Sequence, residues 1–294
     1  MNAGFIGLGA MGLPMARNLA RAGLLTAVWN RSPAAAAALA AETGVRASTD
    51  PAALAADCDC VVLCVSADRD VLGLLERLRP GLRPGSIVID CSTVSAETAR
   101  TAAASLAAGG VAFLDCPVSG GVEGARQGTL AIMCGGEQQA FERARPVLEA
   151  MGRTVVRLGP TGFGQATKAT NQIMCAGIIQ AVAEAMAFAR AEGLPLDKVI
   201  DTLGQGAGSS WYFVHRAPYM ARGEYPAGFR VRLHEKDLKI CREMAARHGA
   251  QLPVVETTLM HYRRLIETGH GDEDISTLFR LKADLFDRRD AAGD

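Results

Sequence analysis

Short, unbroken apolar runs alternate with amphipathic or alanine-rich stretches through the first half of the chain. "NAGFIG", "LTAVW", "CVVLCV", "SIVID", "VAFLD", "LAIMC" and "TVVRLG" read as strands. Helices are expected over Met11 to Ala22, Pro33 to Ala41, Asp70 to Leu78, Ala96 to Ala107 and Glu137 to Met151. Strands that are apolar on both faces belong in a sheet covered by helices on either side, so residues 1–162 are expected to form a doubly wound, mostly parallel α/β domain. Beyond residue 162 the period changes to that of helices punctuated by Gly and Pro, at 164–192, 195–204, 209–222, 234–248, 253–268 and 275–287. Residues 163–294 are therefore expected to be an all-α domain. Its first helix would extend about 40 Å at 1.5 Å per residue, long enough to join the two domains and line a cleft between them. The closing "RRDAAGD" reads as a frayed tail.

Composition adds constraints of its own. The chain has 294 residues, 49% hydrophobic and 21% charged, with 31 basic and 31 acidic side chains and a formal net charge of zero. Such a balance gives no electrostatic reason to bind nucleic acid or an anionic membrane, and favours a small-molecule partner. Most of the eight cysteines lie inside apolar strand-like runs, where free thiols behave as small hydrophobes. A reducing cytoplasm is expected. Cys58 and Cys60 form C-x-C, yet no second pair of cysteines or histidines completes a metal site, so none is expected. The five histidines are scattered and read as surface or helix residues. No secretory signal is expected, because a strand begins almost at once.

"GLGAMG", spanning Gly7, Leu8, Gly9, Ala10, Met11 and Gly12, follows the first strand and opens a helix. In that setting Gly7 allows the tight turn, Gly9 lets backbone approach a pyrophosphate, and Gly12 permits close packing of helix on strand. A dinucleotide site is expected, on a Rossmann-type domain. The second strand ends in "WNRSP", with Asn30 where an acidic residue would bond the ribose hydroxyls of NAD. Arg31 and Ser32 offer a cation and a hydroxyl to a 2′-phosphate. NADP is favoured over NAD, which stays possible; the plainer alternative for Arg31 is a solvated loop arginine.

A nicotinamide enzyme that reduces a carbonyl needs a proton donor for the alkoxide. No Y-x-x-x-K pair, zinc constellation or His–Asp motif is evident. What remains is Lys168, at the start of a helix otherwise suited to burial, with Asn171 and Gln172 three and four residues on. An unpartnered ammonium is costly to bury, so Lys168 either points outward or serves a cavity. In "DCPVSGGVEGARQGTL", the side-chain-poor Ser119, Gly120 and Gly121 could cup a carboxylate through successive N–H groups, or simply form a glycine turn between strands.

Taken together, "GFIGLGAMGLPMARNL", "IDCST", "DCPVSGGVEGARQGTL", "GFGQATKATNQ" and "GFRVRLHEKDL" resemble, in order and end to end, the β-hydroxyacid dehydrogenase family. That family includes 3-hydroxyisobutyrate dehydrogenases, tartronate semialdehyde reductases and glyoxylate/succinic semialdehyde reductases. The resemblance implies a Rossmann domain, an interdomain helix and a helical domain for substrate closure and oligomerisation, as a homodimer or homotetramer. It implies Lys168 as general acid/base and Ser119, Gly120 and Gly121 as the loop that binds the substrate carboxylate. It also implies Ser92 and Thr93 beside the nicotinamide, and Lys236 reaching the cofactor from the second domain. Val65 and Ser66 stand where the family has a common Leu-Pro pair beside the cofactor, and backbone contacts to it are expected to survive the change. Gln172 replaces a common Asn; "NQ" and "GFRVRLHEKDL" resemble the tartronate semialdehyde reductases but "WNRS" the NADPH-using semialdehyde reductases, so the branch is open. Trp211 either lines the substrate pocket or packs at a helix start. Imine reductases usually carry another residue at the position of Lys168; decarboxylating 6-phosphogluconate dehydrogenases have a far longer helical domain; non-catalytic NADP-binding scaffolds tend to lose the lysine. These are the competing readings.

Overall fold

The expected strands form, joined by two short ones. In chain order they are β1 (Ala3–Ile6), β2 (Leu25–Trp29), β3 (Arg46–Ala47), β4 (Cys60–Leu63), β5 (Ile87–Asp90), β6 (Ala112–Asp115), β7 (Val118–Ser119), β8 (Leu130–Gly135) and β9 (Gly152–Gly159). The computed structural model, which describes residues 1–287, arranges them as one sheet in the order β3-β2-β1-β4-β5-β6-β8-β7, with β9 also on β8. All pairings are parallel except those of β8 with β6 and β7. The proposed frayed tail lies outside the described residues.

The central strands are buried along their whole length because each feeds two cores. Phe5, Val62, Ile87 and Ile89 join Met15, Leu19 and Leu39 on one face. Ile6, Val61, Leu63 and Val88 join Leu54, Leu75 and Leu78 on the other. The period-two alternation of the strands thus explains why their runs are apolar on both faces, with Asp90 at the end of β5 the exception.

Seven helices belong wholly to this first unit: α1 (Gly12–Arg21), α2 (Pro33–Thr43), α3 (Pro51–Ala56), α4 (Asp68–Leu78), α5 (Ala96–Ala107), α6 (Gly121–Gln127) and α7 (Gln138–Glu149). Ser95 caps α5 by accepting from the Thr98 N–H at 3.0 Å, which fixes its first turn. The short α3 and α6, and strands β3 and β7, are elements that the alternation of runs did not indicate. Asp50 caps α3 through the Ala53 N–H and Pro51 fills its first position, a start signal that was present but preceded only six helical residues.

Two compact units divide after Lys168, inside the 29-residue α8 (Phe163–Ala191). By length and hydropathy α8 could cross a bilayer, but half of its most apolar window is buried within the protein, as in a core helix. The second unit continues with α9 (Leu196–Leu203), α10 (Trp211–Arg222), α11 (Val231–Ala246), α12 (Pro253–Glu267) and α13 (Leu278–Asp287), the last preceded by a 3-10 turn over Ile275–Thr277. Tyr262, Met186, Leu238 and Leu278 lie in its core. Helix α11 starts three residues before His234, where its period suggested. The N–H groups of Val231 and Arg232 reach the carbonyls of Glu273 and Gly271, each at 3.0 Å, so a distant loop caps this end.

Candidate active site

The three glycines after β1 have different reasons to be there. Gly7 holds φ at 97°, and a Cβ on it would stand 2.2 Å from the Cys64 carbonyl oxygen. On Gly12 a Cβ would stand 1.8 Å from the Gly7 carbonyl oxygen. Gly9 is exposed, and a Cβ there would meet nothing within 4 Å. The chain's own packing demands the first and third glycines but not the second, whose bareness suits a ligand that approaches the backbone. Leu8 is buried, Ala10 exposed and Met11 half-buried. At the N-terminus of α1 no side chain caps the helix and no acidic residue occupies the first turn. The Leu13 and Met15 N–H groups already bond to the Gly9 and Met11 carbonyls, so what fits a pyrophosphate here is the positive end of the helix dipole.

At the end of β2 the Asn30 carboxamide accepts from the Leu8 N–H and donates to the Ser32 carbonyl, both at 2.9 Å. It ties the glycine loop to the start of α2. Arg31 and Ser32 are exposed, and the Ser32 hydroxyl makes no capping bond to α2. After β4, the Val65 N–H donates to the buried Ser92 hydroxyl at 2.9 Å, so this backbone contact is already taken; Ser66 is exposed. Thr93, half-buried, follows in the loop after β5.

Lys168 is buried, 8% exposed, and its ammonium donates to the Val118 carbonyl at 2.8 Å. Of the two placements open to it from sequence, it takes the inward one. Val118 directly precedes Ser119, which ends β7, and Gly120 (φ 132°) and Gly121 (φ 62°) then open α6. The polar island is thus a strand-to-helix turn, and its two glycines are exposed. The first unit brings Lys168 beside this turn.

Two buried carboxyls stand behind the site. Asp115 accepts from the N–H groups of Gly162 (2.8 Å) and Gln165 (2.9 Å), capping the start of α8. Burial raises its pKa and these amides pull it back. Asp90 accepts from the Ser92 N–H at 3.0 Å, and burial lifts it to about 7 against the opposing Ser92 hydrogen bonds, with a smaller push from the Asp115 charge. Neither carboxylate was singled out by sequence, although Asp115 opens a quoted motif. The partners of Asp115 lie 47 and 50 residues on, whereas that of Asp90, the Ser92 N–H, is two residues away.

In the second unit Gln172 is 1% exposed and both ends of its carboxamide are engaged. It donates to Asp237 at 2.6 Å and accepts from Asn171 at 2.8 Å. Lys236 pairs with the other Asp237 oxygen at 2.9 Å. Asp237 therefore joins two candidate residues, Gln172 and Lys236, and its separation of 65 positions from Gln172 hid it. His234, a helix residue of α11, is fully buried between Tyr262 and the Gln172 carbonyl. Trp211 is 51% exposed rather than packed away. It stacks on His215 at 4.3 Å, and the Arg216 guanidinium, paired with Asp274, lies 5.1 Å from its ring. None of the eight cysteines forms a disulfide, and no cluster of metal-ligating side chains occurs among the described residues.

Comparison with known proteins covers nearly the whole chain. Residues 2–159 match the family described as the NAD binding domain of 6-phosphogluconate dehydrogenase. Residues 162–282 match that described as the NAD-binding domain of NADP-dependent 3-hydroxyisobutyrate dehydrogenase. The NAD-dependent L-serine dehydrogenase of Pseudomonas aeruginosa is 36% identical over 287 residues, covering 94% of this chain and 96% of that one. The L-threonate dehydrogenase of Escherichia coli O6:H1 is 35% identical over 282 residues, covering 95% and 93%. A crystal structure of 3-hydroxyisobutyrate dehydrogenase from Salmonella typhimurium superposes with a TM-score of 0.86 at 35% identity, covering 96% of this chain and 99% of that one. Both halves and both lengths agree, and the chain belongs to the 3-hydroxyisobutyrate dehydrogenase family of NAD(P)-dependent β-hydroxyacid dehydrogenases.

Proposed function

We propose that the protein moves a hydride between NADP(H) and a short 3-hydroxy acid or its semialdehyde, with Lys168 as general acid in reduction and general base in oxidation. The observation that carries this reading is the buried Lys168 amine, held 2.8 Å from the carbonyl that precedes Ser119. Burying an ammonium costs several kcal/mol, about what is found for other buried ions, so its inward placement calls for a purpose. A bound nicotinamide supplies or accepts the hydride. The substrate carboxylate is proposed to be received by Ser119, Gly120 and Gly121, a turn whose two glycines are exposed. Lys168 then gives its proton to the carbonyl oxygen as it is reduced, or takes one from the hydroxyl being oxidised.

Asn30 and Arg31 support NADP over NAD: a neutral amide stands where an acid would repel a 2′-phosphate, and an exposed guanidinium follows it. The serine, threonate and hydroxyisobutyrate dehydrogenases among the relatives all bear names of acids carrying both a hydroxyl and a carboxylate. That shared pair of groups defines the proposed substrate class. Asn171, Trp211 and Lys236 are proposed to complete substrate and cofactor recognition, whereas Gln172, buried with both ends of its carboxamide engaged, supports Asn171 and Asp237 instead of meeting the substrate. A reducing compartment fits eight cysteines that form no disulfide. Exposed Met174, Phe188 and Met260 favour a homodimer or homotetramer.

The test is a turnover panel with both cofactors. It pairs oxidation of 3-hydroxyisobutyrate, L-serine and L-threonate with reduction of succinic, tartronate and methylmalonate semialdehydes and glyoxylate, and adds a cyclic imine. The Lys168→Ala variant should lose turnover while it keeps NADPH binding. Near-normal rates in that variant reject the lysine's role, and activity on the imine alone rejects the substrate class.

A further inference from the structure

Gln165 is 1% exposed, in the first turn of α8, three residues before Lys168. Its side-chain amide donates to the Ser92 carbonyl at 2.8 Å, and its carbonyl accepts from the Val94 N–H at 3.2 Å. Donor and acceptor are used in opposite senses, so the amide has one workable orientation. The two bonds straddle Thr93. The backbone N–H of Gln165 is itself held by Asp115. Residues three apart on a helix share a face. One turn of α8 thus reaches two places in the same unit: Gln165 grips the loop after β5, and Lys168 reaches the carbonyl at the start of β7. An apolar residue at 165 would fill the space equally well but would leave two backbone groups unpaired and the turn free to rotate.

We infer that Gln165 is a positioning residue: by clamping the first turn of α8 to the Ser92–Val94 loop it fixes where the Lys168 amine stands. The inference rests on the proposed function only in so far as it ties that placement to turnover. Gln165→Glu keeps the acceptor for Val94 but sets a carboxylate oxygen against the Ser92 carbonyl. Gln165→Met keeps the length without adding charge, and stands in if the first variant does not fold.

Two readouts are needed. The first is kcat, the KM for NADPH and the primary deuterium isotope effect with 4-deuterated cofactor. The second is the labelling rate of Lys168 by an N-hydroxysuccinimide ester, read by peptide mass spectrometry against exposed Lys198, the next lysine in the sequence. The folded variants should show kcat about ten- to a hundredfold lower, little change in the KM for NADPH, a larger isotope effect and several-fold faster Lys168 labelling. Unchanged labelling overturns the inference, and so does faster labelling with wild-type kcat. If the native protein turns over nothing in the panel, the proposed function falls while labelling still decides whether Gln165 holds Lys168.

Discussion

Asp90 and Asp115 face each other as partners in register across the ends of β5 and β6, and neither has any exposed surface. Asp115 is compensated by the amides at the start of α8, whereas one oxygen of Asp90 has no hydrogen-bond partner.

The folded protein should therefore hold a proton on Asp90 up to about pH 7. The unfolded chain releases it near an ordinary aspartate value of about 4. Between these limits the native state binds more protons, so stability falls as pH rises, by at most about 1.4 kcal/mol per pH unit, and levels off above the folded value. Asp115, also raised, acts in the same direction. Asp90→Asn imitates the protonated form and should flatten this slope, gaining stability over the native protein at pH 8 but little at pH 4. Urea unfolding of both proteins across that range checks it, and parallel profiles contradict it.

The glycine loop separates folding from binding. Gly9→Val adds a side chain where no protein atom waits, so its stability should stay within about 0.5 kcal/mol while NADPH affinity drops at least about tenfold. Gly12→Ala drives a Cβ into the Gly7 carbonyl and should cost about 1–3 kcal/mol of stability. Chemical denaturation and fluorescence titration with NADPH measure the two effects; a destabilised Gly9→Val would contradict the first.

Arg31→Ala should raise the KM for NADPH by roughly ten- to a hundredfold, the equivalent of about 1.5–3 kcal/mol for a charge-assisted hydrogen bond, and leave the KM for NADH nearly unchanged. Steady-state kinetics with both cofactors decide it. Equal effects on the two would remove the proposed phosphate contact.

Asp237 joins Gln172 and Lys236, so Asp237→Ala should destabilise the protein by about 1–3 kcal/mol, with Asp237→Asn milder because it can still accept from Gln172. Combined with Gln172→Leu the losses should not add, since both changes break the same bond. Additive losses in a double-mutant cycle would mean that the pair is not coupled.

The fold was legible wherever a signal lay within a few residues of its effect. Helix α5 runs over Ala96–Ala107 as its pattern indicates because its cap, Ser95, sits next to it. The start of α11 was misplaced because its caps come from Gly271 and Glu273. The same distinction holds at the site. Gly7, Gly9 and Gly12 can be read off because the loop's chemistry is local. Gln165, Asp115 and Asp237 could not, since each acts through groups 47 to 73 positions away, and a lone Gln or Asp carries no mark of that. Gln172 shows the limit from the other side: its position beside Lys168 was evident, but not that Asp237 and Asn171 occupy both ends of its carboxamide.

Lys168 closes the first compact unit, and Asn171, Gln172, Trp211 and Lys236 all come after it. On the proposed assignment, the reactive amine and the nucleotide loop are inherited as one continuous stretch of chain, and much of substrate choice as another. A lineage can then drift in what it accepts by altering the later stretch while the redox apparatus is handed down intact. Relatives of almost equal length that bear the names of serine, threonate and hydroxyisobutyrate are what such a division of labour would leave behind.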